Sequence, residues 1–237
     1  MKKFTVVFIV IMMLVVEFTA SVFAQGVPCP GTPTVTYLGK IYNTVQIGNQ
    51  CWLKENLDVG IMILGVDTSK NNGIIEKYCY NNDTNNCNTY GGLYQWNEVM
   101  QYDTTEETQG ICPSGWHIPT LTEFQILSTT VGDDGNALKA IGQGNGTNTS
   151  GFSALLSGNR YYDGNFYNLG ASTYFWSSTE DFTYGAYYMG LYYYDSNIYY
   201  IINIYKEYGF SVRCVKDIAV GVDDKEKSEL PKEFFLL

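Results

Sequence analysis

Six cysteines constrain the fold of this chain more than any other feature of its sequence. All of them follow an apolar segment near the N-terminus, and an even number of cysteines in an exported chain indicates a disulfide framework. The spacing favours a bond between Cys79 and Cys87, because the Asn-rich stretch between them can form a tight loop. Bonds between Cys29 and Cys51 and between Cys112 and Cys214 would then follow.

Metal binding is the alternative use of these cysteines. No two of them have the two-residue gap of a zinc knuckle, and the chain contains 1 histidine, so we expect neither a zinc site nor a cofactor. The segment Asp133-Asp134-Gly135-Asn136 could donate oxygen atoms to calcium, although it lacks the spacing of a complete EF-hand loop. Calcium therefore stays an open alternative.

The N-terminus has the pattern of a secretory signal peptide over residues 1–24. Lys2 and Lys3 precede an apolar run from Phe4 to Val16, and small residues at Ser21-Val22-Phe23-Ala24 suit a signal peptidase. The run is shorter than the about 20 residues that a membrane-spanning helix needs. We therefore expect an extracellular or cell-surface protein with no membrane span after cleavage.

The charge of the chain excludes one class of partner. Lys and Arg total 14 against 24 Asp and Glu, which gives a net charge of -10. Nucleic acids and anionic membranes both require a cationic surface. We therefore expect no nucleic-acid partner.

Residues 218–237 have the composition of a linker. Their final residues, Leu230-Pro231-Lys232-Glu233-Phe234-Phe235-Leu236-Leu237, resemble the opening of the C-terminal sorting domain of the type IX secretion system. The Asn- and Pro-rich stretch expected next is absent, so either this is the start of a truncated sorting domain or the likeness is chance.

The order of secondary-structure signals predicts an α+β domain over residues 25–217. Loosely alternating apolar residues predict short strands between Thr34 and Leu53, and residues 54–90 lack periodicity and predict a long loop region. Two short helices follow: one around Trp96, and one that begins after Thr120 with a capping box to Glu123, and Gly135 to Ile141 can add one more turn or two. Beyond Gly151 the pattern is mostly antiparallel β, with a two-residue hairpin turn at Asp163-Gly164.

Several segments resemble the Fibrobacter succinogenes major paralogous domain, a family of exported bacterial proteins. The resemblance covers about residues 30–217 and rests on segments in a fixed order. They are Tyr42 to Leu57, Tyr90 to Trp96, Gly110 to Thr120, Gly151 to Leu155, Phe175 to Glu180 and Gly209 to Val215.

Trp116 to Thr120 and Gly209 to Val215 are also similar to core signatures of the formylglycine-generating enzymes. The resemblance implies a C-type-lectin-like fold with mixed, mostly antiparallel sheets, in which a disulfide commonly ties a helix region to the last strand, in agreement with the Cys112–Cys214 pairing. The enzyme route needs a reactive thiol pair, but here every cysteine has a plausible partner. His117 lies where the related motif has a structural residue. We therefore expect no catalysis.

Tyrosine is concentrated late in the chain. The stretch 161–208 holds 14 of the 21 tyrosines and one basic residue, Lys206. In a strand, Tyr188, Tyr192 and Tyr194 would share one face, with Met189 and Leu191 on the other. Tyrosine suits antiparallel sheets, but it is also frequent at binding surfaces, because it offers a large rigid area and a hydroxyl. The predicted ligand-binding residues are Trp176, Tyr188, Tyr192, Tyr194, Asp195, Asn197 and Tyr199.

The leading hypothesis is a secreted or cell-surface module that presents this tyrosine-rich surface to an extracellular glycan or protein ligand. The alternatives are a structural surface or adhesin module without a small ligand, a ligand-binding protein diversified by a retroelement, and a relative of the formylglycine-generating enzymes. The second alternative rests on the Tyr, Asn, Asp, Ser and Ile residues between Tyr187 and Tyr205, which adenine-directed mutagenesis of asparagine codons can produce.

Overall fold

The computed structural model describes residues 26–182 and 184–217. The predicted signal peptide (1–24) and the predicted linker and sorting segment (218–237) lie outside this part of the chain. The strands are β1 (Thr34–Tyr37), β2 (Lys40–Ile47), β3 (Gln50–Leu53), β4 (Ile61–Met62), β5 (Glu76–Lys77), β6 (Trp116–His117), β7 (Ser157–Arg160), β8 (Phe166–Leu169), β9 (Ser172–Phe182), β10 (Gly185–Tyr192), β11 (Tyr199–Tyr205) and β12 (Val215–Lys216). The α-helices are α1 (Thr84–Tyr90), α2 (Trp96–Val99), α3 (Leu121–Thr130) and α4 (Gly135–Leu138), and a 3₁₀ turn occupies Tyr80–Asn82.

The first sheet joins the two ends of the described chain. Its strand order is β1-β2-β3-β12-β6, and all of its pairings are antiparallel. Gly39 and Gly48 both have positive φ, +80° and +58°, where β1 turns into β2 and β2 into β3, as the turn signals predicted. Val215 of β12 pairs with Trp52 on one side and His117 on the other. The late strands therefore return to the first ones.

The second sheet has the order β11-β10-β9-β7-β8 and contains the tyrosine-rich segment. β9 and β10 form a long antiparallel hairpin, β11 extends it, and β7 pairs with β9 in the parallel direction. The structure is therefore α+β with mostly antiparallel sheets, as predicted.

Two apolar clusters form the core. One surrounds Trp96 and Trp176, and the other surrounds Trp52 and Phe124, whose rings stack at 5.5 Å. The clusters involve both sheets, since Trp52 belongs to β3 and Trp176 to β9. Burying such large aromatic side chains contributes most of the apolar stabilisation.

The three predicted disulfides are all present. Cys29 bonds to Cys51, Cys79 to Cys87 and Cys112 to Cys214, which leaves no free cysteine. The last bond spans 102 residues and fixes the segment ahead of β6 to the segment ahead of β12. It therefore fixes the position from which the closing strand enters the first sheet.

The prediction of two short helices and a further turn or two at Gly135 to Ile141 was incomplete, although α4 occupies the start of that stretch. Helix α3 begins at the predicted capping box, in which Thr120 accepts from the Glu123 amide and the Glu123 carboxylate accepts from the Thr120 amide. Helix α1, however, lies in the segment predicted to be a loop. It has no apolar stripe, since Cys87 is its one buried residue, and it is held by the Asp83 cap and the Cys79–Cys87 disulfide.

The predicted two-residue hairpin turn is also corrected. Asp163-Gly164 lies inside a longer connection between β7 and β8, closed by hydrogen bonds from the Tyr161 amide to Asn165 and from the Gly164 amide to Tyr161. Gly164 has a positive φ of +90°, whereas Asp163 does not. The longer connection gives Tyr161 and Tyr162 room to leave the sheet.

The disulfides should differ in how much they stabilise the fold. Loop-closure entropy predicts that Cys112→Ser/Cys214→Ser lowers the free energy of unfolding by about 4.7 kcal/mol, against roughly 2.5 kcal/mol for Cys79→Ser/Cys87→Ser. Guanidinium unfolding of both double variants measures the difference. Equal losses would show that loop length does not govern their contributions.

Candidate functional site

One face of the second sheet carries a group of tyrosine rings. Side chains alternate along β10, so Met189 and Leu191 enter the core while Tyr188 and Tyr192 lie on the opposite face. Tyr174 of β9 is paired with Gly190. Because Gly190 has no side chain, the Tyr174 ring can lie between those of Tyr188 and Tyr192, with centroid distances of 5.4 and 5.9 Å.

Of these rings, those of Tyr174 and Tyr188 form the floor of a groove with a volume of about 450 Å³. We call it the tyrosine groove. Its lining contains six aromatic side chains, one aliphatic side chain and two amides, and no charged residue: Asn159, Tyr161, Tyr167, Asn168, Tyr174, Tyr188, Ile204, Tyr208 and Phe210. The volume is within the usual range for small-molecule sites.

Contacts between the rings make the groove rigid. Tyr161 meets Tyr208 edge to face at 4.6 Å, and Phe210 stacks on Tyr174 at 4.9 Å. The Ser172 hydroxyl donates to the Tyr174 hydroxyl oxygen at 2.8 Å. The ring positions are thus fixed before any ligand arrives, which lowers the entropic cost of binding.

Burial keeps the phenols of Tyr188 and Tyr208 neutral. It raises the pKa of Tyr188 and of Tyr208 well above the ordinary value, and nearby tyrosines add to the rise. Ionising such a group would require a charge in a poorly hydrated place. These two phenols are therefore uncharged across the physiological pH range.

A second group of rings lies at the turn after β10. We call residues Tyr192–Tyr199 the aromatic turn. The Tyr192 ring lies 5.4 Å from Tyr194 and 5.0 Å from Tyr199, whose hydroxyl donates to Asp195 at 2.8 Å. The Asn197 side chain donates to the same hydroxyl at 3.2 Å. The structure therefore brings together five of the seven predicted ligand-binding residues.

Lys139 holds the aromatic turn in place through hydrogen bonds to its backbone. It is fully buried, and its ammonium donates to the backbone oxygens of Tyr192 at 2.6 Å and Asp195 at 2.7 Å. The Gly135 amide, at the start of α4, donates to the Ser196 oxygen. The turn is therefore attached to α4 and the segment that follows it.

Two predicted ligand-binding residues need correction. Trp176 is 0% exposed, packs 4.4 Å from Phe210 and donates its indole N–H to the Tyr94 oxygen, so it is a core residue and not a surface contact. Tyr188 is 5% exposed and contributes to the floor of the groove instead of projecting outward. Tyr194 is 58% exposed but lies beyond the end of β10, so it does not continue the strand face.

Of the nine residues that line the groove, sequence reasoning predicted only Tyr188. Tyr161, Tyr167, Tyr174, Tyr208 and Asn159 come from the β7–β8 hairpin, from β9 and from the segment after β11. Only the sheet order brings them together. The available signal was the dense tyrosine content of the whole 161–208 stretch.

The single histidine is held between two carboxylates. His117 Nδ1 lies 2.7 Å from Asp217, and Nε2 lies 2.9 Å from Glu123. Burial lowers the pKa of His117, but the hydrogen bonds and charges of both carboxylates outweigh burial and raise the pKa above its ordinary value. Since both ring nitrogens are engaged in joining β6, α3 and the end of β12, the arrangement fits a structural histidine.

Asp133 and Asp134, two of the candidate calcium ligands, have partners within the protein, whereas the buried side-chain oxygen of Asn136 has no hydrogen-bond partner among the described residues. Asp133 accepts from the Ser128 hydroxyl, and Asp134 caps α4 by accepting from the Asn136 amide. Within residues 26–182 and 184–217, no group of three His, Cys, Asp or Glu side chains is arranged to hold a metal ion.

Comparisons with known proteins give one match. Residues 45–216 match the model of the Fibrobacter succinogenes major domain. No curated protein and no solved structure matches the chain. In the described part of the chain, no helix has the length and apolar character needed to cross a membrane.

The His117 pKa is directly measurable, because the chain contains 1 histidine. A proton NMR titration of untagged protein should give a midpoint above about 6.5. The Glu123→Gln variant should lower that midpoint, because burial then opposes protonation with one carboxylate fewer, while Glu106→Gln should not. A wild-type midpoint at or below 6.5 would contradict the geometry.

The His117–Glu123 pair also predicts how the free energy of unfolding depends on pH. The pKa of His117 is higher in the folded state than in the unfolded state. Its contribution to the free energy of unfolding is therefore complete below the unfolded-state pKa and disappears as pH rises through the folded-state pKa. Because the pKa of Glu123 is lowered, its contribution is present above the unfolded pKa and disappears in acid. The excess stability of wild type over His117→Gln should therefore be largest between about pH 4.5 and pH 6.5, and denaturant midpoints across that range measure it.

Removing the Lys139 ammonium should release the aromatic turn. Lys139→Met fills similar space but leaves two backbone oxygens without a donor, so we expect a loss of roughly 2–3 kcal/mol in unfolding free energy. Amide exchange at Tyr193 should also accelerate. The exposed Lys70→Met serves as the control, and unchanged exchange in Lys139→Met would show that the turn does not depend on this anchor.

Proposed function

The chain belongs to the Fibrobacter succinogenes major domain family, and from that premise we propose that it is a non-catalytic binding module that presents its tyrosine surface to an extracellular glycan or protein ligand. The observation that carries the proposal is the tyrosine groove together with the aromatic turn. The two groups of rings are adjacent, and the Tyr174–Tyr192 contact joins them at 5.9 Å.

Exposure supports this assignment. Tyr167 at the groove and Tyr194 at the aromatic turn are 45% and 58% exposed, whereas the rings beneath them are packed. Large aromatic side chains that remain accessible on a rigid base are typical of binding surfaces, because they bury much area with little loss of rotamer entropy. A sheet that needed tyrosine only for packing would not require the exposed members.

The proposal includes export and a C-type-lectin-like fold. Three disulfides fit an oxidising compartment, and the N-terminal sequence pattern predicts a signal peptide. The return of β12 to β3, next to the Cys112–Cys214 bond, is the feature of the structure that supports the lectin-like assignment.

The absence of catalysis is also part of the proposal. The route of the formylglycine-generating enzymes needs thiols, and all six cysteine sulfurs are in disulfides. His117 has both ring nitrogens within hydrogen-bond distance of carboxylates, so neither is available as a general base.

Loss of exposed rings tests the proposed function. Tyr167→Ala/Tyr194→Ala should reduce retention on a broad glycan array, or attachment to cells, by about tenfold or more, because stacking area is lost at both ends of the surface. Tyr184→Ala, which removes a ring that is 74% exposed outside the groove and the aromatic turn, is the matched control.

Three outcomes of this test would count against a ligand-binding surface. One is equal retention of all variants, and another is no retention of the wild type on glycans or cells. The third is concentration-dependent self-association that disappears in Tyr167→Ala/Tyr194→Ala, which would favour a structural surface module.

A further inference from the structure

We propose that the tyrosine groove binds a neutral sugar unit of a linear glycan, without calcium, and that the aromatic turn contacts the next part of the chain. This inference rests on the proposed binding function and assigns its ligand class. It is carried by the charge, the hydrogen-bonding groups and the shape of the groove.

The groove selects against charged ligands. None of its nine lining residues is Asp, Glu, Lys, Arg or His. Arg160 is next to Asn159 in sequence, but its guanidinium is directed away and donates to the backbone oxygens of Gly65 and Glu207. A carboxylate or an ammonium in the groove would therefore lose hydration without an ionic partner, and that loss is costly.

The hydrogen-bonding groups suit a ligand with hydroxyls. Asn159 is only 4% exposed, and its side-chain oxygen accepts a hydrogen bond from the side-chain nitrogen of Asn168 at 3.1 Å. Its side-chain nitrogen has no hydrogen-bond partner among the described residues. The nitrogen is also not completely shielded from solvent. The nitrogen therefore reaches the groove, where it can donate to a ligand oxygen. The Tyr188 hydroxyl also has no hydrogen-bond partner among the described residues.

The surrounding rings suit the apolar face of a sugar. A pyranose presents C–H groups on its faces and hydroxyls around its edge, so it needs aromatic faces together with a few polar groups. The groove offers this combination, with rings at steep angles, such as the 85° between Tyr174 and Tyr188, and two amides. A purely apolar ligand would leave the Asn159 nitrogen buried without a partner, which costs binding energy.

The ring contacts extend beyond one sugar unit. They run from Tyr208 through Phe210 to Tyr174, and from Tyr174 to Tyr192 and Tyr194, with every step between 4.9 and 5.9 Å. A ligand that fills the groove can therefore continue onto the aromatic turn. This arrangement favours an oligosaccharide over a monosaccharide.

An aromatic pocket can also hold a quaternary ammonium group by cation–π attraction. Such a ligand would not use Asn159 or the free hydroxyl of Tyr188, and it would enter a groove without a carboxylate. The neutral sugar uses all of these groups, so we favour it, and a choline ester serves as the competing probe.

The experiment is titration calorimetry on the full mature chain with neutral gluco-, xylo- and manno-oligosaccharides of two to six units, each with and without EDTA. We expect at least one series to bind, with affinity rising with chain length and unchanged by EDTA. Asn159→Ala and Tyr167→Ala should each weaken that binding about tenfold or more, Tyr194→Ala should weaken only the longer ligands, and Tyr184→Ala should bind as wild type does. Tyr188→Phe, which keeps the ring and removes the hydroxyl, guards against variants that fail to fold and should weaken binding about threefold or more.

Several results would overturn the inference: no binding of any neutral series at millimolar concentration, tight binding of choline, loss of binding with EDTA, or equal affinity of wild type and Asn159→Ala. These failures are distinguishable from failure of the proposed function. If the groove variants still attach to cells and Tyr194→Ala does not, the binding module stands with its ligand on the aromatic turn.

Discussion

Side-chain alternation along β10 determines what the rest of the second sheet can do. Met189 and Leu191 are fully buried in the cluster around Trp52 and Phe124, so one face of the strand belongs to that cluster, and Tyr188 on the other face packs in the cluster around Trp96 and Trp176. Tyr188 and Tyr192 must then occupy the other face, because successive residues of a strand point in opposite directions. A shift of one residue in register would remove the apolar pair from this cluster and put the phenols in its place. The tyrosine groove exists because the core fixes this register.

Three of the basic residues in this acidic chain are buried and bind backbone oxygens. Lys139, Arg160 and Arg213 are at most 2% exposed, and each donates to backbone oxygens of connecting segments. Lys139 fixes the aromatic turn, Arg160 fixes the segments at Gly65 and Glu207, and Arg213 fixes the segment at Phe152 and Ser153. Arg213 also lies over the Phe152 ring at 4.2 Å. Buried cations in such positions make irregular segments rigid, because breaking their hydrogen bonds would leave a charge unpaired.

Local signals in the sequence predicted much of the fold. The α3 capping box, the glycine turns and the cysteine spacing are properties of short segments, and the structure contains all of them. Helix α1 was missed because its stability comes from a cap and a disulfide and not from an apolar stripe.

The candidate site was predicted only in part: the aromatic turn is one continuous segment, whereas the groove combines Asn159, Tyr174 and Tyr208 from separate segments. Trp176 was predicted to be a surface residue because the strand pattern of β9 does not show that Phe210 packs on its ring.

The most direct test of this account is to observe the rings of the groove during binding. Protein with labelled tyrosine rings should show shifted ring signals for Tyr174, Tyr188 and Tyr208 when a neutral oligosaccharide is added, while the core rings of Tyr78 and Tyr94 keep theirs. Shifts confined to Tyr184, or unchanged signals at saturating ligand, would contradict the claim that this face of the sheet is a binding surface.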